Sequence, residues 1–260
     1  ICAADPADAA FADRAARFAA LFTDPAQGNY DAEHNIVRAP HNGALGARTG
    51  LDDRIAPYSA DRVEMRPYGL PLQGLHGIDG WDDLVDEGNA LRMAEEMQRR
   101  AAGDIAVNLA ATSLAANRWL YDGDPSSAAW IERYVDGWRE RAAGGLLPDN
   151  VGPDGVTGSL HDGRWWGGHY GWAWPHGLHS VGMSALIGAL NHALVTKDDA
   201  ALDLVRTMLD TVLAEAKTAT VADSTYSLRG GWMARLGDAA AEPGLLVPYR
   251  HGVDGWFDFG

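Results

Sequence analysis

The sequence predicts an all-α protein built from antiparallel helical hairpins, an incomplete or open (α/α) toroid carrying long loops rich in glycine and aromatic residues. Three observations lead there. Wherever the chain is periodic, apolar residues recur at the spacing of one helix face. The stretches between are long, Gly-rich and poor in strand alternation. Two pairs of helical segments also repeat at a fixed offset. A plain helical bundle satisfies the first two observations, and the repeat is what points to a toroid.

Taken in order, residues 7–22 place Phe11, Ala15, Phe18 and Leu21 on one predicted helix face. Residues 23–83 then run through Pro, Gly, Asn and His without period, as a long irregular segment wrapped over the helices. A loop of that length in a compact domain is usually functional or packed on the core. Regular segments follow at 84–102, 105–121 and 128–142, the last with Trp130, Tyr134, Val135 and Trp138 on one stripe. Pro125 directly after Asp124 is a helix-start signal. Segments 178–196 and 200–216 form a second pair around the turn Lys197-Asp198-Asp199.

A shift of 74 residues lays Asn191 on Asn117, Leu194 on Leu120, Asp198 on Asp124, Leu204 on Trp130, Met208 on Tyr134 and Leu209 on Val135. At this period a closed ring of six hairpins needs roughly 440 residues, so one domain spanning 1–260 supplies three or four. The ending Gly255-Trp256-Phe257-Asp258-Phe259-Gly260 has no helix stop or polar tail and reads as an interruption of a longer ring.

The chain of 260 residues is 47% hydrophobic and 22% charged, enough for a sizeable core and too apolar for disorder. Against 21 basic residues stand 36 acidic ones, a formal charge of -15, which repels nucleic acid. Cys2 is the only cysteine, so packing and not a disulfide holds the fold. No apolar run is expected to reach the ~20 residues of a membrane span. The start Ile-Cys-Ala-Ala-Asp reads as a trimmed N-terminus, consistent with a secreted or periplasmic protein.

Residues 163–180, GRWWGGHYGWAWPHGLHS, concentrate four of the ten Trp and three of the nine His, more than core packing requires. Glycines there let the backbone bend around a ligand. Indoles beside imidazoles suit sugars, whose C–H faces stack while their hydroxyls need hydrogen-bond partners. Trp165, Trp166, Trp172 and Trp174 form the candidate platform, with Arg164 and His176 beside it. A second cluster joins Tyr249, Arg250 and His251 to Asp254, Trp256 and Asp258. Pro148-Asp149-Asn150 is a third, and an early loop with His34, Asn35, Arg38, His41 and Asn42 a fourth. Asn and Asp close turns and cap helices so often that either of the last two also reads as ordinary turn chemistry. His169, His176 and His179 lack an acidic partner at metal-ligand spacing, so no metal and no cofactor is assigned.

The hairpin pattern, the GGHYGW segment after an Asp-Asn turn and the later Tyr-Arg-His group resemble the α/α-toroid carbohydrate-active enzymes over residues 84–260, above all polysaccharide lyases of the alginate and glucuronan type and the related six-hairpin glycosidases. The resemblance implies an acidic polysaccharide substrate. It also implies a Tyr, His, Arg and Asn set that removes the proton beside a uronate carboxylate and eliminates the 4-O-linked sugar.

Such a reaction needs donors for the developing negative charge and a base at the carbon. Arg250 and Asn150 fit the first role, Tyr170 or Tyr249 the base, and His169 shares the proton. On an extended segment His169 and Tyr170 are expected to point to opposite sides, which keeps Tyr249 level with Tyr170. Glycoside hydrolysis, which needs two carboxyl groups, stays open through Asp149, Asp154, Asp162, Asp254 and Asp258, although no Glu lies between Glu140 and Glu215. A glycan-binding protein without catalysis uses the same tryptophans.

Overall fold

The computed structural model describes residues 7–38, 70, 72–142, 144–220 and 243–259. Among these the protein is mostly helical, with six α-helices and four two-stranded antiparallel ladders. Helix α1 (Ala9–Thr23) starts at Asp8, whose carboxylate accepts the Phe11 N–H. Its buried face is not quite the expected one: Ala19 is buried while Phe18 is exposed, and Phe22 takes the core contact. Strands β1 (Tyr30–Asp31) and β2 (Ile36–Val37) then form a short hairpin.

The expected helix 84–102 is split. A 3₁₀ turn, Trp81–Val85, precedes α2 (Glu87–Arg100), because Asp86 turns back to accept the Asn89 N–H and caps the new helix. The expected helix 105–121 also begins late. Asp104–Ile105 form β3, a 3₁₀ segment covers Ala106–Ala111, and α3 runs Thr112–Asp122. Tertiary pairing wins here over helical pattern: Ile105 pairs with Asn150 of β4 (Asn150–Val151), and the Ala106 N–H donates to the Asp149 carbonyl.

Helix α4 (Pro125–Arg141) starts at the Asp124 cap with Pro125 in its first turn. Trp130, Tyr134 and Trp138 recur every four residues and are all buried, with Trp130 stacked on Tyr134 at 4.9 Å. Helix α5 (Gly177–Thr196) occupies the centre, packing on the 3₁₀ segment, α3, α4 and α6 (Leu202–Ala214). Its 20 residues are apolar enough to cross a bilayer by length and composition, contrary to the sequence expectation. About a third of that stretch is buried, with His192 and Ser184 packed against its neighbours.

The pairs α3–α4 and α5–α6 share one construction. Gly123 and Lys197, related by the 74-residue shift, both end their helix in the left-handed conformation, at φ 69° and 64°. Asp124 and Asp198 follow them and accept backbone N–H groups of the next turn. A second core of Leu72, Ile78, Trp81, Leu84, Met93 and Met97 lies under α2. Strands β5 (Lys217–Thr220) and β6 (Pro243–Leu246) pair, as do β7 (Pro248–Gly252) and β8 (Gly255–Phe259).

Candidate functional site

Asp149 organises the aromatic loop from beneath. It is fully buried, and its carboxylate accepts the N–H groups of Gly167 (3.0 Å), Gly168 (2.8 Å) and Trp172 (2.7 Å), with the Asn150 amide as a fourth donor at 2.9 Å. Burial pushes the Asp149 carboxyl above its ordinary range, while these donors pull the other way. The glycines are required by this approach: a Cβ on Gly171 would collide with the Asp149 carboxylate, and one on Gly168 with the Asp149 carbonyl at 2.6 Å. A carboxylate that receives four hydrogen bonds inside the core is an anchor, and Asp149 leaves the set of candidate hydrolytic acids.

Asn150 is equally committed. Its amide donates to Asp149 and to the Arg164 carbonyl, and its oxygen accepts the Gly158 N–H. The expected role of Asn150 as a donor to substrate gives way to loop anchoring, since the side chain is buried and both amide hydrogens are used.

The tryptophans divide. Trp172 is completely buried with its Nε1 donating to the Leu147 carbonyl, and Trp166 is buried under the Arg164 guanidinium. Both were expected on the platform and both are core. Trp165, Trp174 and Trp256 remain partly exposed. Arg164 is tied to the His161 carbonyl and to Asp162.

The loops 148–176 and 247–258 meet, as shared chemistry requires. The His251 N–H donates to the Trp172 carbonyl, and Arg250 donates through Nε and Nη2 to the Ala173 carbonyl at 3.0 and 2.6 Å. The His251 ring lies 4.8 Å from Trp165, 5.6 Å from Trp166 and 5.1 Å from Trp256. Burial lowers the His251 pKa, so its ring is held neutral within this aromatic group. Tyr249 is half-buried on β7, its carbonyl against Gly177 at the start of α5.

His169 and Tyr170 depart from expectation in the most consequential way. Tyr170 adopts φ 56°, a left-handed conformation that is uncommon for a bulky residue and concentrates at functional sites. That twist brings the two neighbouring rings together at 4.0 Å instead of sending them to opposite sides. Trp174 closes the group, 5.2 Å from Tyr170 and 5.6 Å from His169. Tyr170 is 36% exposed while His169 is buried beneath it.

Below His169 lies a cavity of about 10 Å³, lined also by Arg100, Asp104, Asn150 and His161. His161 faces the Arg100 guanidinium at 2.9 Å, and burial followed by the charge of Arg100 drives its pKa down to about 2, so it accepts that hydrogen bond as a neutral ring. Burial raises the Asp104 carboxyl to about 7 against the pull of Val37 N–H, Asn108 and Tyr134. Asp104 thereby ties the early loop to α4, a hub that no sequence motif announced.

The early loop is structural where it is described. The Asn35 amide donates to the Arg133 carbonyl, and Arg141 donates to the carbonyls of His34 and Asn35. His41, Asn42 and the Asp258 side chain lie outside the described residues. His176 and His179 are exposed at the start of α5, and no cluster of potential metal ligands occurs among the described residues.

A family model described as a domain of unknown function, DUF8034, matches residues 1–260. The chain belongs to the DUF8034 family. No curated protein and no solved structure matches it. At this site the DUF8034 chain presents to solvent an exposed, conformationally strained Tyr170 backed by His169 and edged by Trp174, and beside it the Trp165, His251 and Trp256 group.

Proposed function

We propose that this DUF8034 chain is a polysaccharide lyase that cleaves a uronate-containing polysaccharide by β-elimination, its two helical hairpins being successive steps of an (α/α) toroid. The observation that carries the reading is the Tyr170–His169 pair. A phenol held in a left-handed backbone conformation and exposed to a surface ligand, with a buried imidazole whose ring centre is 4.0 Å away, pairs a candidate base with a second group able to carry its proton.

In this reading the Tyr170 oxygen passes its own proton to His169 as it takes the proton from C5 of the uronate. The electron pair forms the C4–C5 double bond, the C4–O4 bond breaks, and the departing oxygen takes the proton that His169 received. Arg250 supplies positive charge for the carboxylate from its seat on the Ala173 carbonyl, one residue from Trp174. Trp165, Trp174 and Trp256 offer apolar faces to sugar rings, with His176 and His251 as polar edges. A secreted or periplasmic location fits a polymeric substrate.

Incubation with a panel of uronate polymers tests this directly, because elimination creates a 4,5-unsaturated uronate with its own ultraviolet absorbance, whereas hydrolysis yields reducing ends without it. One observation favours glycan binding without cleavage: Asn150 spends its donors on the Asp149 carboxylate and the Arg164 carbonyl, and Arg250 its Nε and Nη2 on the Ala173 carbonyl. Binding to the same polymers without any product is the outcome that selects that second reading.

A further inference from the structure

The Arg100 guanidinium donates to His161 Nδ1 at 2.9 Å, and an arginine has only donors to offer. Nδ1 of His161 is therefore bare, and the neutral ring carries its proton on Nε2. Arg100 is itself fixed, with 6% of its side chain exposed and its Nε donating to Glu96 at 3.1 Å, so this tautomer of His161 is imposed from behind. His161 is 4% exposed, and among the described residues no group accepts its Nε2–H. A buried donor without an acceptor is costly enough that native folds rarely leave one.

His161 lines the cavity of about 10 Å³ that His169 also lines, a volume that takes one water molecule. Asp104 and Asn150 line the same space and bring oxygens to it. The Asn150 side-chain oxygen accepts one hydrogen bond, from the Gly158 N–H at 3.2 Å, and an amide oxygen has two lone pairs. Leu72, Ile105, Val151 and Leu160 complete the wall, so a molecule inside has its hydrogen bonds decided by this small polar set.

We propose that this cavity is the site of one buried water molecule, which accepts the Nε2–H of His161 and a ring N–H of His169 and so fixes the tautomer of His169. The water's own hydrogens go to oxygens of Asp104 and Asn150. The functional meaning rests on the lyase reading: His169 can receive the Tyr170 proton only through a bare nitrogen, so its own proton has to sit on the other one. Water on the cavity side holds it there, as the second nitrogen of a working histidine is commonly tied to an outer partner. His161 is then a positioning residue that acts on His169 through the water, and Arg100 keeps it in its donating form.

A high-resolution crystal structure of the 260-residue chain and the ¹⁵N ring shifts of its histidines test this without recourse to activity. The expected result is ordered water density within hydrogen-bonding distance of His161 Nε2 and of a ring nitrogen of His169, with both rings in single tautomers. His161→Phe keeps the ring shape and deletes both nitrogens, so the water should be lost and His169 should show both tautomers. His161→Gln, whose amide oxygen can take the Arg100 donor while its NH₂ reaches the water, should restore both features; wild type and the Gln variant carry the test if the Phe variant does not fold. Where a uronate polymer is cleaved, His161→Phe should lower kcat ~10-fold with KM unchanged. A wild-type cavity without ordered water, a proton on His161 Nδ1, or a His169 tautomer or kcat unmoved by His161→Phe would overturn the inference. Water and tautomers as expected, but no unsaturated product from any polymer, would uphold the water site and overturn the lyase reading instead.

Discussion

The Asp149 carboxyl group accepts the Trp172 N–H at 2.7 Å, and through that bond a buried side chain sets the path of the chain 23 residues away. Gly167 and Gly168 donate to the same group, so the turn that carries Tyr170 is built on a single side chain. Removing that group leaves several buried donors without a partner, each costing about 1–3 kcal/mol.

Asp149→Ala is therefore expected to collapse the aromatic loop and lower stability by several kcal/mol. Asp149→Asn should be harmful too, since its NH₂ faces donors where an acceptor is needed. Thermal unfolding and near-ultraviolet circular dichroism of the tryptophans report both effects. A variant that keeps wild-type stability and tryptophan signal would remove Asp149 from the anchoring role.

The division of the tryptophans gives a second expectation. Trp172→Ala deletes a fully buried ring and should cost about 3–5 kcal/mol. Trp174→Ala removes a partly exposed ring beside Tyr170 and should leave the unfolding temperature near wild type; if the chain binds polysaccharide as proposed, that affinity should weaken. Measured side by side, unfolding and binding should separate the pair; equal losses of stability would place Trp174 in the core as well.

How much of this was legible in the sequence depends on the range of the interaction. Helix α4 was, because Asp124, Pro125 and the Trp130, Tyr134, Trp138 stripe are local signals. The two helix pairs were legible as well, whereas the left-handed caps they share at Gly123 and Lys197 were not, since a Gly and a Lys at corresponding positions carry no common signal. The start of α3 was not, because pairing of Ile105 with Asn150 is a contact between distant residues. At the site, the meeting of the two loops followed from shared residue types, but the roles of Asn150, Trp166 and Trp172 did not. A hydrogen-bonding or aromatic side chain looks the same in sequence whether it faces a ligand or a carbonyl. The left-handed turn at Tyr170 has a partial signal in the sequence: Gly167, Gly168 and Gly171 mark a loop whose backbone departs from an extended path.

Two buried groups should tilt stability against pH in opposite directions. The folded Asp104 value of about 7 exceeds the ordinary 3.8, so the folded state holds a proton that the unfolded chain has released between those values. Its contribution is full below the unfolded value and is lost as pH rises toward 7. Asp149, also raised by burial, acts with the same sign. His161 is lowered from 6.5 to about 2, so its contribution is present above 6.5 and lost as pH falls. Relative to wild type, Asp104→Asn should lose stability faster on acidification, and His161→Gln more slowly. Unfolding midpoints between pH 4 and 8 supply the difference curves, and parallel curves for all three proteins would contradict the assignment.

Tyr170 supplies the sharpest separation of stability from activity. Its left-handed backbone costs of order 1 kcal/mol that a glycine does not incur, while its ring contributes contacts to His169 and Trp174. Tyr170→Gly relieves the first and loses the second, so its stability should stay within ~1 kcal/mol of wild type. Tyr170→Phe keeps both the strain and the ring and deletes only the hydroxyl, so binding should persist. If Tyr170 is the base, elimination by the Phe variant should fall by ~10²-fold or more, with the loss in kcat and not in KM. Tyr249→Phe, on a half-buried side chain of β7, should retain most of the rate. The reverse pattern, full activity in Tyr170→Phe and none in Tyr249→Phe, would transfer the base to Tyr249 and leave the strained turn as a feature of binding.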